Sequence, residues 1–154
     1  MTAILLPLFV LNLAMAFGAG LYETRIVLPR WFPESGGRYA VDREAMMDLE
    51  SGRHFWGFVT TGPLTMLTLA NLALAWQSLP PVHDWWMAAS LAALAERVGT
   101  FTFFIPAAMR LQRGNKLKNE VLHPVIRRWI QANYLRNLLT LAACLLALKA
   151  LMLV

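Results

Sequence analysis

The sequence predicts an all-α integral membrane protein: a four-helix antiparallel bundle, with an additional short helix in the first cytoplasmic loop. Three observations predict this. The 154 residues are 58% hydrophobic and have a mean hydropathy of +0.49, more apolar than a soluble domain of this size. The apolar residues come in long runs, each approaching the roughly 20 residues that cross the hydrocarbon. Only helices or closed barrels satisfy their backbone in lipid, and four runs in so short a chain fit one bundle.

The first span runs from about Ala3 to Leu21. Ala14-Met15-Ala16 resembles a leader cleavage site, but no Lys or Arg precedes the apolar run, so the segment is expected to be retained as a span. The second span runs from about Phe55 to Trp76, and the third from about Trp85 to Ile105 with its helix continuing to Arg113. The fourth starts near Pro124 or Trp129 and occupies about 129–153. The whole of 1–154 reads as a single domain.

The connections differ in charge. "QSLPPVHD", between spans two and three, has no Lys or Arg. The first loop carries Arg25, Arg30, Arg38, Arg43 and Arg53 and is broken at Pro33 and Gly36-Gly37. After that break, "AVDREAMMDLESGRHFW" reads as a helix feeding into span two, with Asp42 as its N-cap. The glycines of "ESGGR" and "SGRH" read as turn residues. The third loop, "RLQRGNKLKNEVLHPVIRR", holds six basic residues and one acid. Both basic loops fall on one side of the bundle. The net charge of +5 is therefore a topology signal rather than a nucleic-acid footprint. The positive-inside rule puts the two loops in the cytoplasm and both termini outside, in what reads as a bacterial inner (cytoplasmic) membrane. Trp76, Trp85 and Trp86 are expected in the outer aromatic belt, and Trp31, Trp56 and Trp129 in the inner one.

Ionisable residues inside the spans carry the functional reading. "LAALAERVGTFTFFIP" places Glu96 and Arg97 near the middle of span three. Glu23 ends span one, His54 begins span two, and Arg136 lies within span four. The acids Glu23 and Glu96 match Arg97 and Arg136 in number. Adjacent helical residues diverge by about 100°, so Glu96 and Arg97 are each expected to pair on another helix. Thr100 shares a face with both. Asn133, Arg136, Asn137 and Thr140 form a polar stripe on span four, and Asn12 lies three turns before Glu23. Gly18 and Gly20 would permit close helix packing. Such groups either hold a bundle together or mark a ligand or proton site. Their convergence from several helices favours the second.

Other chemistry has no support in the sequence. The three histidines are scattered, with His83 expected opposite His54 and His123, so neither a metal site nor paired axial haem ligands are indicated. There is no G-x-G-x-x-G or phosphate loop, and no cofactor is expected. His83 and His123 read as surface residues, and Cys144, the single cysteine, as a bland buried thiol.

Two stretches, "GAGLYETRIVLPRWF" (18–32) and "RRWIQANYLRNLLTLAACLLAL" (127–148), resemble the anthrone-oxygenase-like family of small four-helix membrane proteins. "FIPAAMRLQRG" loosely resembles that family's proline-containing end of helix three, without the asparagine common beside the proline. The resemblance implies a four-helix bundle that oxygenates a polycyclic anthrone without metal or flavin. The residues suit such chemistry: Glu96 or Glu23 as base, Arg97 and Arg136 holding an enolate oxygen, and Tyr22 and Asn133 orienting it. Trp56, Phe101, Phe103 and Phe104 would supply apolar walls, and His54, Thr100 and Asn137 further substrate contacts. The expected partners are membrane lipid and a lipophilic small molecule, with no nucleic acid and a homo-oligomer left open. A non-catalytic binder or transporter of an amphipathic molecule, or a structural subunit of a membrane complex, are the alternatives.

Overall fold

The fold is taken from a computed structural model. It describes residues 2–48, 52–113 and 119–154, with side chains at 4–48, 55–58, 60–112 and 123–154. Four helical stretches are long and apolar enough to cross a membrane: Ile4–Trp31, Phe55–Trp76, Val82–Gln112 and His123–Leu151. They pack antiparallel as an all-α bundle, each span against two neighbours. In chain order the elements are α1 (Thr2–Tyr22), α2 (Leu28–Trp31), α3 (Arg43–Asp48), α4 (Gly62–Trp76), α5 (Val82–Gly99), α6 (Ile105–Arg113) and α7 (Asn119–Leu151).

Three spans change pitch partway. Wide π-helical turns at Glu23–Val27, Gly52–Thr61 and Thr100–Phe104 join α1 to α2, lead into α4, and join α5 to α6. Each is followed by a proline at the second residue of the next α segment: Pro29, Pro63 and Pro106. A proline within a helix has no N–H to donate and its ring crowds the carbonyl four residues back. Here those carbonyls belong to Arg25, Val59 and Thr102, all inside the wide turns. Local π adjustment is how lipid-embedded helices absorb this conflict. The helix is thus preserved through the proline: span one runs past Leu21 to Trp31, and the span-three helix continues to Arg113 as expected.

Loop details follow local chemistry. Asp42 Oδ1 accepts the Ala45 N–H at 2.9 Å, capping α3 as expected. Whether α3 continues into span two falls on residues outside the described set. Strands β1 (Glu34–Ser35) and β2 (Arg38–Tyr39) form a small antiparallel hairpin. Gly36 and Gly37 turn it at φ 57° and 74°, where a side chain would be strained. Gly52, read as a turn glycine, instead opens the second π segment.

The apolar interior has two parts. Toward the termini, Leu6, Phe9 and Leu13 of α1 pack with Ala89 and Ala93 of α5 and Ala143, Ala147 and Ala150 of α7. Small residues at helical spacing let α5 and α7 approach closely. Cys144 is buried there as expected. Toward the basic loops, Val27, Leu28, Trp31, Phe32, Met46, Phe104, Leu111, Ile126 and Trp129 form a second cluster. Between the clusters lies a polar layer.

The aromatic belts are only partly as expected. Trp76 and Trp85 are exposed, but Trp86 is buried, its Nε1 donating to Asn71 Oδ1 at 3.0 Å. Asn71 Nδ2 donates in turn to Leu5 O and Leu67 O, linking three spans. Trp31 and Trp129 are also buried rather than interfacial. A buried indole N–H usually finds a partner, and Trp31 Nε1 reaches Ala45 O at 3.2 Å, whereas Trp129 Nε1 is buried with no partner among the described residues.

Candidate functional site

The polar layer is built from helix faces that the fold turns inward. Thr24 is its hub. Its hydroxyl donates to Gly20 O at 2.7 Å and accepts from Asn133 Nδ2 at 2.7 Å and Asn137 Nδ2 at 3.0 Å. Two amides at i and i+4 on α7 can converge on one hydroxyl because they lie one above the other on a helix face. Gly20 makes the approach feasible, since a Cβ there would overlap Asn137 Oδ1. Gly18, also expected to aid packing, has open space where a Cβ would stand and plays no such part.

Two ion pairs flank this hub. Arg136 Nη2 of α7 donates to Glu23 Oε2 at 2.8 Å, joining spans four and one. Glu96 and Arg97, in contrast, pair with each other: Arg97 Nε and Nη2 both lie 2.5 Å from Glu96 Oε2. This corrects the expectation that each would find its partner on another helix. Their backbone directions do diverge, but the arginine's long, flexible stem folds back along the helix to its neighbour. Thr100 Oγ1 completes the pair by donating to Glu96 Oε1 at 3.0 Å. Breaking either pair would strand a charge in a dry interior.

Arg136 is also clamped by aromatics. Its guanidinium carbon lies 4.9 Å from the Trp56 ring centroid and 4.6 Å from that of Phe104. Both distances fall within cation–π range. Phe104 packs edge-on to Trp129, with centroids 5.4 Å apart.

These groups face a cavity of about 540 Å³. Glu23, Arg97, Thr100 and Arg136 supply its charged and polar wall, and Thr60 and Thr61 add hydroxyls from span two. Trp31, Trp56, Phe104 and Trp129 supply aromatic surface. Met46, Met47, Gly57, Ile105, Ala108, Met109 and Gln112 complete it, with Met47, Met109 and Gln112 on the exposed rim. All three π segments contribute to the wall, so the proline-induced turns shape it. The volume and mixed lining are those of a small-molecule site.

Among the residues chosen from sequence, Glu23, Arg97, Arg136, Trp56, Thr100 and Phe104 come together at the cavity. Glu96, Asn133 and Asn137 are buried behind it, holding Arg97 and Thr24. Tyr22 is 59% exposed and lies outside this cluster, and Phe101 is exposed too. The His54 side chain lies outside the described residues. Sequence reading missed Trp31, Thr60, Met46 and Trp129 as wall residues. Trp129 could have been found: it continues the Asn133–Arg136–Thr140 stripe one turn back. Among the described residues no cluster of His, Cys, Asp and Glu is arranged to hold a metal. His123 Nδ1 instead accepts the Tyr39 N–H at 3.3 Å, its ring stacked on the tyrosine.

Fold and site together define a small four-helix membrane protein with a charged, aromatic-walled cavity. Among known proteins, no family model, no curated protein and no solved structure matches the chain.

Proposed function

We propose that this chain is a cofactor-independent oxygenase, or a related enzyme, acting on a lipophilic aromatic or quinol-like substrate taken from the membrane. The observation that carries the reading is the cavity wall: a carboxylate, Glu23, beside two guanidinium groups in an aromatic chamber. The short-motif resemblance to anthrone-oxygenase-like proteins supports it. Glu23 is the base in this reading. It takes a proton from the activated CH₂ of an anthrone, and the arginines stabilise the resulting enolate oxygen. The enolate passes one electron to O₂, and recombination forms a C–O bond and a hydroperoxide. Loss of the remaining C–H proton with O–O cleavage gives the ketone and water, so that R₂CH₂ + O₂ becomes R₂C=O + H₂O. The methionine rim admits substrate from the lipid, and the basic loops face the cytoplasm of a bacterial cell.

The experiment is oxygen uptake by the detergent-solubilised protein given anthrone. One O₂ consumed per anthraquinone formed, above the buffer rate and lost in Glu23→Gln, supports the enzyme. Binding of anthrone without turnover supports the second reading, a non-catalytic binder or carrier, which the cavity's size and open rim favour in their own right. If anthrone neither binds nor turns over, the polar layer serves only to hold the bundle.

A further inference from the structure

The geometry points to an interaction surface outside the cavity: the lipid-facing seam between spans one and four holds the headgroup of an anionic phospholipid, through Arg25 and Arg127, in the leaflet at the basic-loop end. Three consecutive residues of span one meet three different surroundings. Glu23 lines the cavity, Thr24 is buried against Asn133 and Asn137 of span four, and Arg25 is exposed. Each residue advances the side chain by about a quarter turn. Arg25 therefore emerges on the lipid side of the contact that Thr24 makes, with the cavity on the other side.

Span four passes through the same surroundings in the same order. Arg136 lines the cavity, Asn133 and Asn137 meet Thr24, and Tyr134 follows around α7, about 60° beyond Asn137. Tyr134 is exposed, and so is Arg127 on the same stripe, roughly 10 Å nearer the loop at about 1.5 Å per residue. Away from the loops, Leu138 continues that stripe and Leu21 precedes Arg25 by one turn, both exposed. An acyl chain has an apolar track there, below a headgroup held at the arginines.

Charge selects the lipid. Arg25 lies in the membrane-crossing stretch Ile4–Trp31, and Arg127 in His123–Leu151. Among the described residues neither has a carboxylate partner. A lipid-facing arginine keeps its stem in the apolar region and carries its guanidinium to the interface. The acceptors at that level are phosphate oxygens, which a guanidinium binds by charge-assisted hydrogen bonds. Arg30 and Arg128 are exposed at the same end and add positive potential. A lipid with net negative charge is favoured over a zwitterionic one, whose ammonium group the arginines repel.

The test is native mass spectrometry of the full chain in detergent, titrated with phosphatidylglycerol or with phosphatidylcholine of the same acyl chains. Phosphatidylglycerol is expected to bind about fivefold more tightly. Arg25→Gln and Arg127→Gln should each remove about half of that preference, and the double variant should bring the two lipids to within about 1.5-fold. Arg128 is exposed at the same end but points about 100° away from Arg127 around α7, so Arg128→Gln should leave the preference unchanged. Melting in detergent checks that each variant folds, and Arg127→Gln against Arg128→Gln decides the matter if Arg25→Gln does not. Equal binding of the two lipids to the unaltered chain overturns the inference. So does a preference that survives in the double variant, or one that Arg128→Gln lowers as much as Arg127→Gln, which would assign it to overall charge. Anthrone binding and turnover are untouched by any of these outcomes, because the seam and the cavity lie on opposite sides of Thr24.

Discussion

Arg136 of the fourth span places Nη2 2.8 Å from Glu23 Oε2 of the first, while Trp56 and Phe104 cover its guanidinium. The carboxylate that faces the cavity is thus oriented by a residue that is itself immobilised. Arg136→Ala should destabilise the protein by about 3–5 kcal/mol, because it strands a buried carboxylate. Thermal melting in detergent measures this. Glu23→Gln with Arg136→Gln removes both charges and should recover most of the loss.

The neighbouring pair of Glu96 and Arg97 is predicted to be supported by Thr100. Thr100→Val removes the hydroxyl that donates to Glu96 and should cost about 1.5–3 kcal/mol, the range for hydrogen bonds to charged groups. In Glu96→Gln the same substitution should cost less. A double-mutant cycle gives the coupling directly.

Gly20→Ala should force Asn137 from its place, since the new methyl group overlaps Asn137 Oδ1. A loss of about 1–3 kcal/mol is expected. Asn137→Ala in the same chain makes room for the methyl and should make Gly20→Ala nearly neutral. Gly18→Ala, with open space around it, should change melting little.

Pro106→Ala tests whether the proline maintains the wide turn that carries Thr100 and Phe104. With an N–H restored, residues 100–104 can return to α pitch. Loss of the extra residue in the turn would rotate α6 by about 100° relative to α5. Anthrone affinity should fall about tenfold while the melting temperature holds or rises, because a proline-related defect has been removed.

Much of the fold was legible because lipid imposes long apolar runs and the loops differ in charge. Asp42 as a cap and Gly36-Gly37 as a turn were readable from local chemistry. At the site, the Asn133–Arg136–Asn137 stripe followed from helical spacing, whereas its meeting with Glu23 and Thr24 of span one is shown by the structure. Two things were not legible. Spacing rules describe where side chains leave the helix, not where a long arginine ends, so they do not reveal the Glu96–Arg97 pair. Composition likewise cannot tell an interfacial tryptophan from a buried one. Trp86 is buried because Asn71, fifteen residues earlier, offers its oxygen. The π turns did leave a trace, the prolines at 29, 63 and 106, but it is the shared depth of those turns in the bundle that makes a cavity.

The most direct measurement is a structure of the protein with 2-bromoanthrone, locating the bromine by anomalous scattering. A bromine peak within the cavity bounded by Trp31, Trp56, Phe104 and Trp129 is the predicted result. Bromine found only on the lipid-facing surface of the helices, with the cavity free of probe, would contradict it.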